Sequence, residues 1–123
     1  MSKTVMVVDD SGSFRTVVKL ALQKAGYGVV EAVDGKDAVG KLNGQKLNLI
    51  VCDVNMPNMD GLTMAEKIRT ELGNTKVRIV MLTTEDSPDM RDRGKAVGVT
   101  GWIVKPFKGD AVLGPFRKLC GMG

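Results

Sequence analysis

The chain has 123 residues and 43% hydrophobic residues, which fits one compact domain with a real core and leaves no room for a second. No apolar run approaches the ~18 residues of a membrane span, and the complete lack of histidine excludes a histidine-ligated metal or a histidine general base. The net charge of +4 comes from scattered Lys and Arg with few aromatics among them, so the surface reads as solvated rather than as a nucleic-acid interface.

Five apolar runs alternate with segments of helical spacing. The first run, Thr4 to Val8, passes directly into Asp9-Asp10 and is therefore not a signal-peptide core. A helix follows, with Phe14, Val17, Val18, Ala21 and Leu22 repeating at three and four and Gly26 as its stop. The second run is Gly28 to Ala32, and a helix from about Lys36 to Leu42 ends at Asn43-Gly44. The third run, Leu47 to Cys52, precedes a helix from Leu62 to Leu72 with Asp60 as N-cap and Gly73 as stop. The fourth run, Val77 to Leu82, leads to the weakest predicted helix, Pro88 to Val97, which has a thin apolar face and is interrupted by Gly94. The last run is Gly101 to Val104. A fifth helix starts near Asp110 with Val112, Leu113, Phe116 and Leu119 on one side.

Runs rich in Val and Ile without polar alternation suit parallel strands covered on both faces. Five of them alternating with five helices predict an α/β fold with a parallel sheet and helices on both sides. Cys52 and Cys120 form neither a disulfide framework nor a CxxC motif. Cys52 reads as a buried thiol, and the expected location is cytoplasmic.

Ligands of open parallel sheets bind beyond the carboxyl ends of the strands. Those ends are followed here by Asp9-Asp10, Asp53, Thr83-Thr84 and Lys105-Pro106, which the topology gathers at one edge. Three crowded carboxylates repel one another unless a cation neutralises them, and Mg2+, with oxygen ligands and retained waters, fits best. Lys105 adds a positive charge and Thr83 a hydroxyl, completing a cradle for phosphoryl oxygens. A carboxylate nucleophile in such a cradle forms an acyl phosphate. Singly, each residue has an ordinary structural reading: Asp9-Asp10 as a helix cap, Lys105 as a surface charge, Thr83 as a strand end. Asp53 is harder to explain so, because it follows Leu49-Ile50-Val51-Cys52 and burying an unpaired carboxylate is costly.

Val7-Val8-Asp9-Asp10, the stretch Asp53 to Leu62 (DVNMPNMDGL), Thr83-Thr84-Glu85 and Trp102 to Phe107 (WIVKPF) stand in the order found in response-regulator receiver domains. The chain resembles that family over nearly its whole length, most of all its stand-alone chemotaxis members. The resemblance implies a doubly wound, flavodoxin-like sheet of strand order 2-1-3-4-5. It implies that Asp53 accepts a phosphoryl group from a phosphohistidine on a sensor histidine kinase of the chemotaxis type. Asp10, Asp53 and the backbone carbonyl of Asn55 would bind Mg2+ directly, and Asp9 mostly through water. Lys105 would contact the phosphoryl group, Thr83 would move to bond it, and Trp102 would stand where the family has an aromatic switch residue. The implied output is a monomer whose fourth helix, fifth strand and fifth helix bind a flagellar motor switch protein, with a phosphatase as a further partner. The chain departs from the pattern at Gly114-Pro115, which predicts a fifth helix that is kinked or starts late. It departs also at Trp102, whose bulk predicts incomplete burial in the active state.

Two other outputs and one other class fit parts of the pattern. A phosphorelay carrier or phosphate sink would share the site without binding the motor. A Mg2+-dependent aspartyl-phosphate phosphatase would carry a second aspartate two residues after the nucleophile, where this chain has Asn55. A flavodoxin-like cofactor carrier would need a phosphate-binding loop rich in Ser and Thr after the first strand, where Asp9-Asp10 would repel phosphate in the absence of a metal.

Overall fold

A computed structural model describes residues 3–42, 47–85 and 87–104. The strands are β1 (Thr4–Val8), β2 (Gly28–Ala32), β3 (Leu49–Cys52), β4 (Arg78–Thr83) and β5 (Gly101–Val104), and the helices are α1 (Gly12–Lys24), α2 (Gly35–Leu42), α3 (Gly61–Arg69) and α4 (Pro88–Ala96). All strand pairs are parallel and the sheet order is β2-β1-β3-β4-β5. The predicted fifth helix, with Gly114-Pro115, lies outside the described residues, as do Lys105 and Cys120.

The period of two along each strand explains why the central strands are apolar between their ends. Met6, Val8, Ile50, Cys52, Ile79 and Met81 face one side, where Leu62, Met64 and Ile68 of α3 cover them. Val5, Val7, Leu49, Val51, Val80 and Leu82 face the other, against Val18 and Leu22 of α1 and Tyr27. Alternate residues enter two different cores, so no polar face survives in β1, β3 or β4.

Three local expectations change in detail. The Ser11 hydroxyl caps α1, accepting from the Phe14 amide at 3.3 Å, which leaves Asp9 and Asp10 outside the cap. α3 ends at Arg69 rather than Leu72, because the Leu72 amide reaches back five residues to the Lys67 carbonyl and breaks the helical ladder ahead of Gly73 at φ +65°. Gly94 does not interrupt α4: the helix runs through it, and a Cβ there would stand 3.1 Å from the Trp102 ring. The missing side chain lets the indole of β5 lie against the helix.

Candidate functional site

Ladder register brings the acidic residues together. Val8 pairs with both Ala32 and Cys52, and the next amides continue the ladder, Asp9 donating to the Ala32 carbonyl and Asp53 to the Val8 carbonyl, each at 3.1 Å. The chain therefore leaves β1 and β3 at the same level. One carboxylate oxygen from each of Asp9, Asp10 and Asp53 lies within 4.8 Å of the others. Asp9 is buried, Asp53 half-buried and Asp10 exposed, so the cluster opens to solvent on one side.

The loops around the cluster are fixed by side chain to backbone bonds. Asp9 Oδ1 accepts from the Ser11 amide at 2.9 Å, and Asp53 Oδ1 accepts from the Asn55 amide at 3.2 Å. Arg15 Nη1 donates to the Asp9 carbonyl at 2.7 Å while its Nε pairs with Glu31 on β2 at 3.2 Å. The donor set is wholly oxygen and formally triply anionic, which suits a hard divalent ion with carboxylate and water ligands.

Thr83 ends β4 fully buried, and its Oγ1 accepts from the Glu85 amide at 3.3 Å. Glu85 then joins the other predicted groups. Its Oε1 accepts from Asn55 Nδ2 at 2.9 Å, and its carbonyl accepts from Trp102 Nε1 at 2.7 Å. Thr83, Asn55 and half-buried Trp102 thus meet at one residue of the β4–α4 loop. Sequence reading quoted Glu85 within a motif but gave it no role. Asn58 likewise stands within a quoted motif without a role, and nothing in the sequence points to Arg15 or Asp34, because their partners are brought near only by the fold.

Asp34 lies at the start of α2. Its Oδ1 accepts from the Asp37 amide and its Oδ2 from Asn58 Nδ2, each at 2.7 Å. These two bonds, the Asp37 amide foremost, hold its carboxyl below the usual carboxylate range.

A parallel sheet in this order, with helices on both faces and paired acidic loops at its carboxyl edge, is a doubly wound α/β domain with a candidate cation site. The chain belongs to the response regulator receiver domain family, which matches residues 5–114. It is similar to protein PilG of Pseudomonas aeruginosa, with 32% identity over 113 residues covering 92% of this chain and 84% of that protein. It is 35% identical over 107 residues to the alkaline phosphatase synthesis transcriptional regulatory protein PhoP of Bacillus subtilis, covering 87% of this chain but 44% of that protein. The chain thus spans less than half the length of this relative. Among solved structures, the chemotaxis protein CheY4 of Vibrio cholerae is 41% identical with a TM-score of 0.91, covering 97% of this chain and 99% of that one. No helix among the described residues is long and apolar enough to cross a membrane.

Proposed function

We propose that Asp53 is the phosphoryl acceptor of a signalling switch that takes its phosphoryl group from a histidine kinase of the chemotaxis type. The observation that carries this is the convergence of Asp9, Asp10 and Asp53 at the ends of two adjacent strands. A carboxylate oxygen of Asp53 attacks phosphorus, the P–N bond of the donor phosphohistidine breaks, and its electron pair leaves with the imidazole. An acyl phosphate on Asp53 results, and water later returns the carboxylate and releases inorganic phosphate. Asp10, Asp53 and the Asn55 carbonyl would hold Mg2+, with Asp9 helping mostly through water, and the ion would neutralise charge on the phosphoryl oxygens. Thr83 and Lys105 bond the phosphoryl oxygens. Because they bind the phosphorylated arrangement better than the free one, the group shifts the population of the β4–α4 loop and Trp102.

The output in this reading is a flagellar motor switch protein, bound by a monomer of this one domain. It is supported by the 41% identity to a chemotaxis protein. Incubation with Mg2+ and acetyl phosphate, followed by intact mass measurement, yields one phosphoryl adduct. Asp53→Asn abolishes it; a mutant labelled as fully as wild type moves the acceptor elsewhere. Phosphorylation-dependent binding of a motor-switch peptide tests the output, and equal binding with and without phosphate removes the motor from this reading.

A further inference from the structure

The residues between Asp53 and Gly61 carry the Asn55 carbonyl that the proposed function assigns to the cation, and α3 anchors only the far end of this loop. Within it, the Met59 amide donates to the Pro57 carbonyl and the Gly61 amide to the Val54 carbonyl, both bonds internal to the segment. Its outer turn is held from outside, by the start of α2. Asn58 Nδ2 donates to Asp34 Oδ2 at 2.7 Å, and the Gly35 amide donates to the Met59 carbonyl at 3.3 Å. The approach is close enough that a Cβ on Gly35 would stand 2.7 Å from the Met59 carbonyl oxygen.

Two details separate this contact from ordinary helix capping. Asp34 caps α2 through backbone amides of its first turn, that of Asp37 foremost, so the Oδ2 bond to the Asn58 side chain is additional to the cap. Asn58 is also the one described non-glycine residue at positive φ, +67°. Glycine would take that conformation at lower cost; what asparagine adds is the amide that reaches Asp34. The acceptor is a buried carboxylate, 7% exposed, which makes the bond charge-assisted and fixes its far end on a rigid element.

We propose that the Asp34–Asn58 hydrogen bond is a latch that presets the Asp53–Gly61 loop for cation binding, which makes Asn58 a positioning residue of the acidic site. This rests on the proposed function, since the cation is the one held by Asp10, Asp53 and the Asn55 carbonyl. An unlatched loop is held near Asn55 only by the bonds of that residue to Asp53 and Glu85, so its carbonyl is less well placed and binding must order it further. A latched loop is ordered beforehand, so the same ligands bind the ion more tightly.

The test is Mg2+ titration by isothermal calorimetry on the full chain, with thermal melting in EDTA as a fold control. Asn58→Gly keeps the positive φ and deletes the amide, and Mg2+ binding weakens about tenfold, the scale of lost outer-shell support. Asp34→Ser keeps a side chain that caps α2 but cannot reach Asn58, and weakens Mg2+ similarly. The double variant is no worse than either single one, because both delete the same bond. An Asn58→Gly chain that melts lower yet binds Mg2+ with wild-type affinity makes the contact purely structural and overturns the latch. Additive losses in the double variant also overturn it. A wild-type chain that binds no Mg2+ overturns the proposed function itself, and the latch with it.

Discussion

Gly61 shows how a single residue type can set the site. It is the first residue of α3, buried against the end of β3, and its amide donates to the Val54 carbonyl at 2.9 Å. A Cβ on it would run into the Asp53 carbonyl oxygen and stand 3.1 Å from Cys52 Sγ. The nearest neighbour is backbone, so the chain after Asp53 would have to move. Gly61→Ala is expected to cost about 1–3 kcal/mol, the usual range for overpacking. Urea unfolding measures this as a lower midpoint at unchanged slope. Because Asp53 itself shifts, phosphorylation by acetyl phosphate should slow as well. Unchanged stability would mean that α3 can withdraw from β3 without cost. Asp60 caps α3 as the sequence predicts, accepting from the Thr63 amide. The need for glycine at 61 is not legible in the sequence, because its reason lies across space, in the chain eight residues earlier.

At the scale of elements, the pairing of α1 with β2 gives a pH signature. Arg15 and Lys19, one turn apart on α1, both reach Glu31 on β2 at 3.2 Å. The Lys19 hydrogen bond is the largest cause holding the Glu31 carboxyl below its usual value of 4.5. A group with a depressed folded pKa stabilises fully above its unfolded pKa and loses that contribution as pH falls through the folded one. The wild type should therefore lose more stability than Glu31→Gln between neutral pH and about pH 3. The difference should stay below about 1 kcal/mol, because the pair is a third exposed and screened by salt. Denaturant midpoints at several pH values check it; parallel acid-side losses would remove the pair from the acid response. The elements themselves were legible because β1, β3 and β4 are buried on both faces and helix spacing separates them. The end of α3 and the role of Gly94 were not, since a turn closing over Lys67 and an indole arriving from β5 decide them.

For the whole molecule, what was legible was convergence. Parallel topology sends every strand end to one edge, so Asp9, Asp10 and Asp53 could be grouped from their places after apolar runs. The bonds that join the site to the outer face were not legible, since they run between loops: Thr83 to the Glu85 amide, the Glu85 carboxylate to Asn55, and the Glu85 carbonyl to Trp102. One residue of the β4–α4 loop thus touches the hydroxyl proposed to read the phosphoryl group and the indole proposed to report it. If Thr83 turns to a phosphoryl oxygen, its Oγ1 lone pair is withdrawn from the Glu85 amide, and the carbonyl of the same residue carries the change to Trp102 Nε1. Trp102 is the chain's single tryptophan, so its emission isolates this step. Phosphorylation of the wild type should shift that emission. Thr83→Ala should still acquire the phosphoryl adduct, since Asp53 remains, yet show a smaller shift. Trp102→Phe should be phosphorylated at a rate near that of the wild type, because it loses only the bond at the far end of the chain of contacts. An emission change as large in Thr83→Ala as in the wild type would show that the signal reaches β5 by a route that bypasses Thr83. Coupling of the site to the α4–β5 face would then have to run through the Asp53–Gly61 loop and the Asn55–Glu85 bond.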